Sequence, residues 1–222
     1  MKKILIATPT TGIVKARYTG SMIRLFLHAL TTPLKNNERI YLNYALIESS
    51  TIYQAREDFV DDTLKGEYTH LLFVDDDMGF RETILHSMLE HDLPIVSCNY
   101  RMKVAPCPFT ARSLDSKYWV ETTPQSTGLE QVLMTGFGFC LIKRELLEKM
   151  QKPLFLPYYT HQNNKYSTED TPFFLQLKRL GVDVFIDHDA SKLVYHTGQW
   201  CFGIDDNYFR PEQRLPLAER EI

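Results

Sequence analysis

The chain has 222 residues with 44% hydrophobic and 24% charged content, enough for one ordinary soluble domain with its own core. Its formal net charge of −3 provides no overall attraction to nucleic acid or anionic lipid. The four cysteines (Cys98, Cys107, Cys140, Cys201) lack CxxC spacing, the apolar run after Met1 is too short for a signal peptide, and no stretch approaches the ~20 apolar residues of a membrane helix, so a cytoplasmic location is expected.

In chain order, Lys3 to Thr8 reads as a buried strand ending in the turn-prone Thr8-Pro9-Thr10-Thr11-Gly12. Met22, Leu25, Phe26, Ala29 and Leu30 recur at helical spacing. Ile40 to Ile47 predicts a second strand, Thr51 to Lys65 a helix carrying Arg56, and His70 to Val74 a third strand. Ile84, Leu85, Met88 and Leu89 mark another helix, followed by the strand-like Pro94 to Cys98. This β-α-β-α-β-α-β order favours a mostly parallel sheet flanked by helices. Beyond Tyr100 the pattern becomes mixed. Short strands are expected at Val104–Thr110, Tyr118–Thr122, Leu129–Met134, Phe139–Lys143, Val182–Asp187 and Leu193–His196. Helices are expected at Arg144–Met150 and around Phe173, Phe174, Leu177 and Leu180, the latter closed by Gly181 as a C-cap. The chain reads as a single domain, with residues 1–100 a nucleotide-binding half and 101–222 an acceptor and catalytic half.

Three groups of residues carry chemistry. Asp75-Asp76-Asp77 follows a buried strand, where open parallel sheets bind ligands. In extended chain, Asp75 and Asp77 would face one side and Asp76 the other. Paired hard oxygen ligands suit Mg²⁺ or Mn²⁺, which grip diphosphate oxygens; the plainer reading is a solvated acidic loop. Glu169-Asp170 opens the Phe173 helix, and one of them is a candidate general base. The same residues also fit a capping box, with Ser167 as N-cap and Asp170 three residues on. A helix N-terminus would lower a carboxylate pKa and weaken such a base. His196-Thr197-Gly198 ends an apolar run and places an imidazole where a metal ligand could be aimed.

Taken together and in this order, these three elements resemble the GT-A superfamily of glycosyltransferases, especially small bacterial and phage members. The resemblance extends over most of the chain. It implies a GT-A-like Rossmann-type α/β fold with a smaller mixed region in the C-terminal half. Thr8-Pro9-Thr10 is similar to the strand end that receives the base, and Gln54-Ala55-Arg56 to the helix whose arginine lies near base or phosphates. Asp75-Asp76-Asp77 is similar to the DxD motif and Ser167-Thr168-Glu169-Asp170 to the xED motif of inverting members. Asn99-Tyr100-Arg101-Met102-Lys103 resembles the segment bordering the donor sugar, and Thr135-Gly136-Phe137-Gly138 the glycine-bearing segment beside the reaction centre. The implied metal contacts are Asp77, Asp75 (through water or the ribose) and His196, with Asp170 as base and Glu169 as fallback.

The implied activity is metal-dependent transfer from a nucleoside diphosphate sugar, a UDP-sugar by expectation, to an acceptor hydroxyl with inversion. Acceptors in view are a glycan, a lipid-linked sugar, or a modified DNA base served by a local patch of Arg101, Lys103, Arg112, Lys117 and Lys143. Tyr158, Tyr159, Trp200 and Phe202 are candidates for stacking on a sugar or base. The rival readings are a sugar nucleotidyltransferase, which wants a Gly-rich, Arg- and Lys-bearing loop that Thr8 to Gly12 matches poorly, a phosphotransferase with a DxD after its first strand, and a binding module without catalysis.

Overall fold

A computed structural model describes residues 1–103, 107–161, 164–198 and 201–202, the last pair for backbone only. The elements are β1 (Lys2–Thr10), α1 (Ala16–Thr31), β2 (Ile40–Glu48), α2 (Ile52–Lys65), β3 (His70–Val74), β4 (Met78–Phe80), α3 (Ile84–Glu90), β5 (Ile95–Ser97), β6 (Leu129–Val132) and β7 (Phe139–Lys143). They continue as α4 (Arg144–Leu147), β8 (Tyr159–Thr160), β9 (Lys165–Tyr166), α5 (Asp170–Arg179), β10 (Val184–Asp187), α6 (His188–Ser191), β11 (Val194–Thr197) and β12 (Cys201–Phe202).

Seven strands form the central sheet in the order β2-β1-β3-β7-β5-β10-β6. β2, β1, β3, β5 and β10 run one way, while β7 and β6 run against their neighbours. The expected mostly parallel α/β sheet is therefore present, with antiparallel β7 inserted between β3 and β5. Ile4 and Ile6 of β1, with Leu72 and Val74 of β3, pack on the α1 and α3 side. Leu5, Ala7, Leu71 and Phe73 pack on the α2, α4 and α5 side. Burial on both faces explains why these strands read as unbroken apolar runs rather than alternating ones.

Beyond the central sheet, β4 continues the chain just past the aspartates and pairs with β11, so His196 stands opposite Met78. A Cβ at Gly79 would overlap the Tyr195 ring, so only glycine lets β11 lie this close. α5 ends as expected at Gly181, at φ +66°, where Gly181 and Val182 N–H groups bond to the Lys178 and Leu177 carbonyls in a Schellman arrangement.

Four expectations are corrected. Tyr118–Thr122 is not a strand, nor are the described residues of Val104–Thr110; Val104, Ala105 and Pro106 lie outside the described residues. Single bridges (Arg101↔Phe109, Arg112↔Trp119, Arg112↔Met134) take the place of those ladders. The buried Asn99 side chain organises this region, accepting from Ala111 N–H at 3.0 Å and donating to the Val120 carbonyl at 2.8 Å and Thr122 Oγ1 at 3.1 Å. α4 stops at Leu147, with Lys149 and Met150 bonded three residues back in tighter turns. Ser167 does not cap α5. Its N-cap is Glu169, without a side-chain cap bond, and Ser167 Oγ instead accepts from Tyr158 N–H at 3.1 Å.

Candidate functional site

The β3 run ends in a turn rather than continuing extended, because Met78 N–H bonds back to the Asp75 carbonyl at 3.1 Å. The chain therefore does not stay extended through the aspartates, and each carboxylate meets different partners, although Asp77 still lies near enough to Asp75 to help raise its pKa. Asp75 turns inward to Arg56, whose Nη2 donates to Asp75 Oδ1 at 3.4 Å. Asp76 takes a hydrogen bond from Thr10, and burial raises its pKa above the ordinary value. Asp77 faces His196 Nε2 at 3.1 Å and is bonded to Lys103 Nζ. Burial pushes the Asp77 pKa up, but His196 and Lys103 more than offset this, leaving it below the ordinary carboxylate value.

Arg56 is only 2% exposed and has carboxylates on several sides. Besides Asp75, Glu169 Oε1 lies 3.8 Å from Nη2, and the guanidinium lies over the Phe73 and Phe137 rings, 5.4 and 5.0 Å from their centroids. The Phe137 side chain is itself packed against Phe155, Phe173 and Phe174 and is turned into the core. Asp170 stands at the first turn of α5. Burial, opposed by Arg56 and reinforced by Glu169 and Asp75, pushes its pKa up to about 8. The tension between helix N-terminus and burial is thus won by burial, which suits a general base better than a lowered pKa would. Asp75 is raised for the same leading reason. Asp170 Oδ1 and the Nε and Nη1 atoms of Arg56 are buried without a hydrogen-bond partner among the described residues.

Tyr100 holds the glycine-bearing segment in place. Its hydroxyl accepts from Gly138 N–H at 2.7 Å, and a Cβ at Gly136 or Gly138 would overlap that oxygen. The Asp75 N–H bonds to the Gly138 carbonyl at 3.0 Å, so this segment also braces the acidic turn. At the other border, Thr8 and Pro9 are buried, and Thr8 Oγ1 shares a 2.6 Å hydrogen bond with Tyr18. What Thr8 can present to a ligand is therefore backbone, and the Thr10 hydroxyl is engaged with Asp76.

The expected residues Asp75, Asp77, Lys103, His196, Glu169, Asp170, Arg56, Tyr100 and Gly136 thus converge at the carboxyl end of β3, with Thr10 reached through Asp76. The basic residues do not converge. Lys143 lies beside His70 at the opposite end of β3 and pairs with Asp92, Lys117 pairs with Asp115, and Arg112 stacks on Trp119. Tyr158 and Tyr159 sit at the β8–β9 hairpin just before α5, with Tyr159 edge-on to Tyr166 and His161. Trp200 and the Phe202 side chain lie outside the described residues. A surface hollow of about 480 Å³ lies at the other end of β1, lined by Lys2, Leu34, Glu38 and Asp92 among others, and takes no part in the acidic cluster. The sequence does not single out Tyr18, which holds the Thr8 hydroxyl.

Asp77 and His196 are the residues here that could hold a divalent cation. His196 Nδ1 lies 3.0 Å from the Arg101 carbonyl, which only accepts, so Nδ1 carries a proton. In a neutral ring the Nε2 lone pair then points at Asp77 Oδ1, an arrangement relieved by a cation between them or by a second ring proton. A backbone carbonyl orienting the far nitrogen is also how metal-binding histidines are held. Among the described residues no three His, Cys, Asp or Glu side chains already form a metal-holding group. Mg²⁺ and Mn²⁺ sites commonly rest on one or two carboxylates and take further ligands from substrate phosphates.

No protein-family model matches the chain, and no curated protein is significantly similar to it. Among solved structures it is similar to A197 from STIV, with a TM-score of 0.58 and 20% identity over 93% of this chain and 96% of that one. The likeness is one of fold. CMP:2-keto-3-deoxy-manno-octonic acid synthetase complexed with CTP also aligns, at a TM-score of 0.43 and 11% identity over 84% of this chain and 89% of that one, a likeness too distant to support an argument. No helix among the described residues is long and apolar enough to cross a membrane.

Proposed function

We propose that the chain is a glycosyltransferase that moves a sugar from a nucleoside diphosphate donor, with UDP-sugar the first choice, to an acceptor hydroxyl. The observation that carries this reading is the pairing of Asp77 with a carbonyl-oriented His196, set beside a half-buried Asp170 across Arg56. Residues 1–100 supply the donor half and 101–222 the acceptor half. Asp77 and His196 would hold Mn²⁺ or Mg²⁺, with Asp75 contributing through water or the ribose. A cation held there would supply charge neutralisation for the leaving diphosphate.

Asp170 takes the proton of the attacking hydroxyl, and Glu169 on the same turn is the alternative base. Attack from the face opposite the diphosphate inverts the anomeric centre, through an oxocarbenium-like state as in glycoside hydrolysis. The backbone at Thr8 to Thr10 would border the nucleotide, and Tyr100, Lys103 and the Gly136-Phe137 backbone the sugar diphosphate. Lys103, bonded to Asp77 in the structure, is free to swing to the diphosphate once a cation takes its place.

The experiment is a nucleotide-sugar panel with Mn²⁺, scoring nucleoside diphosphate release by the wild type and by Asp77→Ala. Release that depends on Mn²⁺ and vanishes in the variant supports the reading. Pyrophosphate release from a nucleoside triphosphate and a sugar phosphate would replace it with nucleotidyl transfer.

A further inference from the structure

The central sheet ends at β2, whose outer edge has no partner strand among the described residues. Lys2 N–H bonds to the Arg39 carbonyl and Ser49 N–H to the Thr10 carbonyl, so the odd-numbered residues of β2 bond toward β1. By alternation, the backbone groups of Ile40, Leu42, Tyr44, Leu46 and Glu48 point out of the sheet. The Tyr44 N–H is met only by the side chain of its neighbour Asn43. Register with β1 is unbroken from Ile40 to Glu48, without a bulge. From Ile40 to Ile47 there is neither charge nor proline. The edge therefore lacks the devices that keep sheets from pairing edge to edge.

The surface beside this edge is apolar. Ile40 and Leu42 pack into the α1 side of the core, so Tyr44 and Leu46 lie on that same face, and both are exposed. On α1, Arg24 and His28 turn toward Glu82 and His86 on the α3 side. Ile23, Leu27 and Leu30 stand in a stripe on the outer side of α1, Leu30 being 79% exposed. At the ends of β2, Arg39 and Glu48 have no ion pair within the described chain.

We propose that two copies of this chain pair through β2, antiparallel, about a two-fold axis at Tyr44. In that register Tyr44 opposes the partner's Tyr44, Leu42 the partner's Leu46, and Ile40 the partner's Glu48. It is the register that pairs the strand over its full length, and it joins outward-pointing groups only to outward-pointing groups. Each end of the shared ladder then carries one Arg39 and the partner's Glu48, opposite charges rather than like ones. A stable pair buries roughly 800 Å² on each protomer, more than a strand edge alone supplies. The α1 stripes add apolar area on one face of the joined sheets, and the contact is isologous and closes at two copies.

The test is independent of the catalytic reading. Sedimentation velocity of the full chain over a concentration series should show a particle of twice the 25.9 kDa chain mass. Hydrogen exchange at Leu42, Tyr44 and Leu46 should slow as concentration rises. Leu46→Pro removes an outward N–H while sparing the ladder to β1, and Leu30→Glu charges the stripe at an exposed helical position. Each should shift the wild-type dimer to monomer, and Leu30→Glu should leave the melting temperature of the monomer unchanged. If Leu46→Pro does not fold, Leu30→Glu and the exchange data decide. A wild type that stays monomeric overturns the proposal, as does a dimer indifferent to Leu30→Glu and without concentration-dependent protection of β2.

Discussion

Asp77 and His196 face each other at 3.1 Å although 119 positions separate them in the chain. The contact exists because β11 lies antiparallel on β4, the strand that starts one residue after Asp77, with glycine at position 79 allowing the approach. On the proposed reading that the pair holds a cation, removing either partner should cost metal affinity before it costs fold. Asp77→Ala and His196→Ala should each weaken Mn²⁺ binding by about 100-fold or more, beyond the 10–100-fold typical of outer-shell partners. Titration calorimetry with Mn²⁺ and UDP checks this, and unchanged affinity in Asp77→Ala would remove the metal site from this corner.

Asp170 gives a pH signature. With its pKa raised from 3.8 to about 8, the folded protein holds a proton that the unfolded chain has released across that interval. Its contribution to stability therefore declines as pH rises from about 4 to about 8. Asp170→Asn should flatten this decline and be the more stable protein at the alkaline end, read by urea denaturation at several pH values. Sugar transfer by the wild type should rise as pH passes upward through the same pKa, because the base works deprotonated. Equal pH dependence in both proteins would show that Asp170 does not titrate there.

Arg56 should matter to stability more than any exposed charge. Arg56→Met leaves Asp75, Glu169 and Asp170 without their buried counter-charge. Breaking a buried ion pair from one side costs about 3–5 kcal/mol. Glu169→Gln added to Arg56→Met should recover part of that loss, since it removes one of the stranded carboxylates. Thermal unfolding of the single and double variants measures the coupling.

Gly136 tests the brace behind the acidic turn. Gly136→Ala forces a methyl into the Tyr100 hydroxyl and should destabilise the protein by about 1–3 kcal/mol, the usual range for overpacking. Tyr100→Phe removes the oxygen in the way and should relieve part of that cost in the double variant. Additive losses would mean that Tyr100 is not what excludes a side chain at position 136.

The order of strands and helices up to β5 was legible in the sequence, apart from the short β4, because the signals behind it are local. Apolar runs such as Ile4 to Ala7 and Leu71 to Val74, and helical spacing such as Met22-Leu25-Ala29, record burial that any packing of these segments would need. The sequence also placed Asp75 to Asp77 at a strand end, since a buried strand that runs into three carboxylates must there leave the core. Only the tertiary structure decided what each carboxylate does. The insertion of β7 between β3 and β5, the Thr8 hydroxyl spent on Tyr18, and the Lys103 ammonium on Asp77 all depend on partners outside the local segment. One-residue bridges around Arg112 and the bonds of Asn99 leave no periodic trace, so the stretch between β5 and β6 is not legible from spacing. Arg56 shows the division most plainly. Its helix is legible from spacing, but its burial against Phe73 and Phe137, and its place as counter-charge to Asp75 and Glu169, arise only when separate elements close around it.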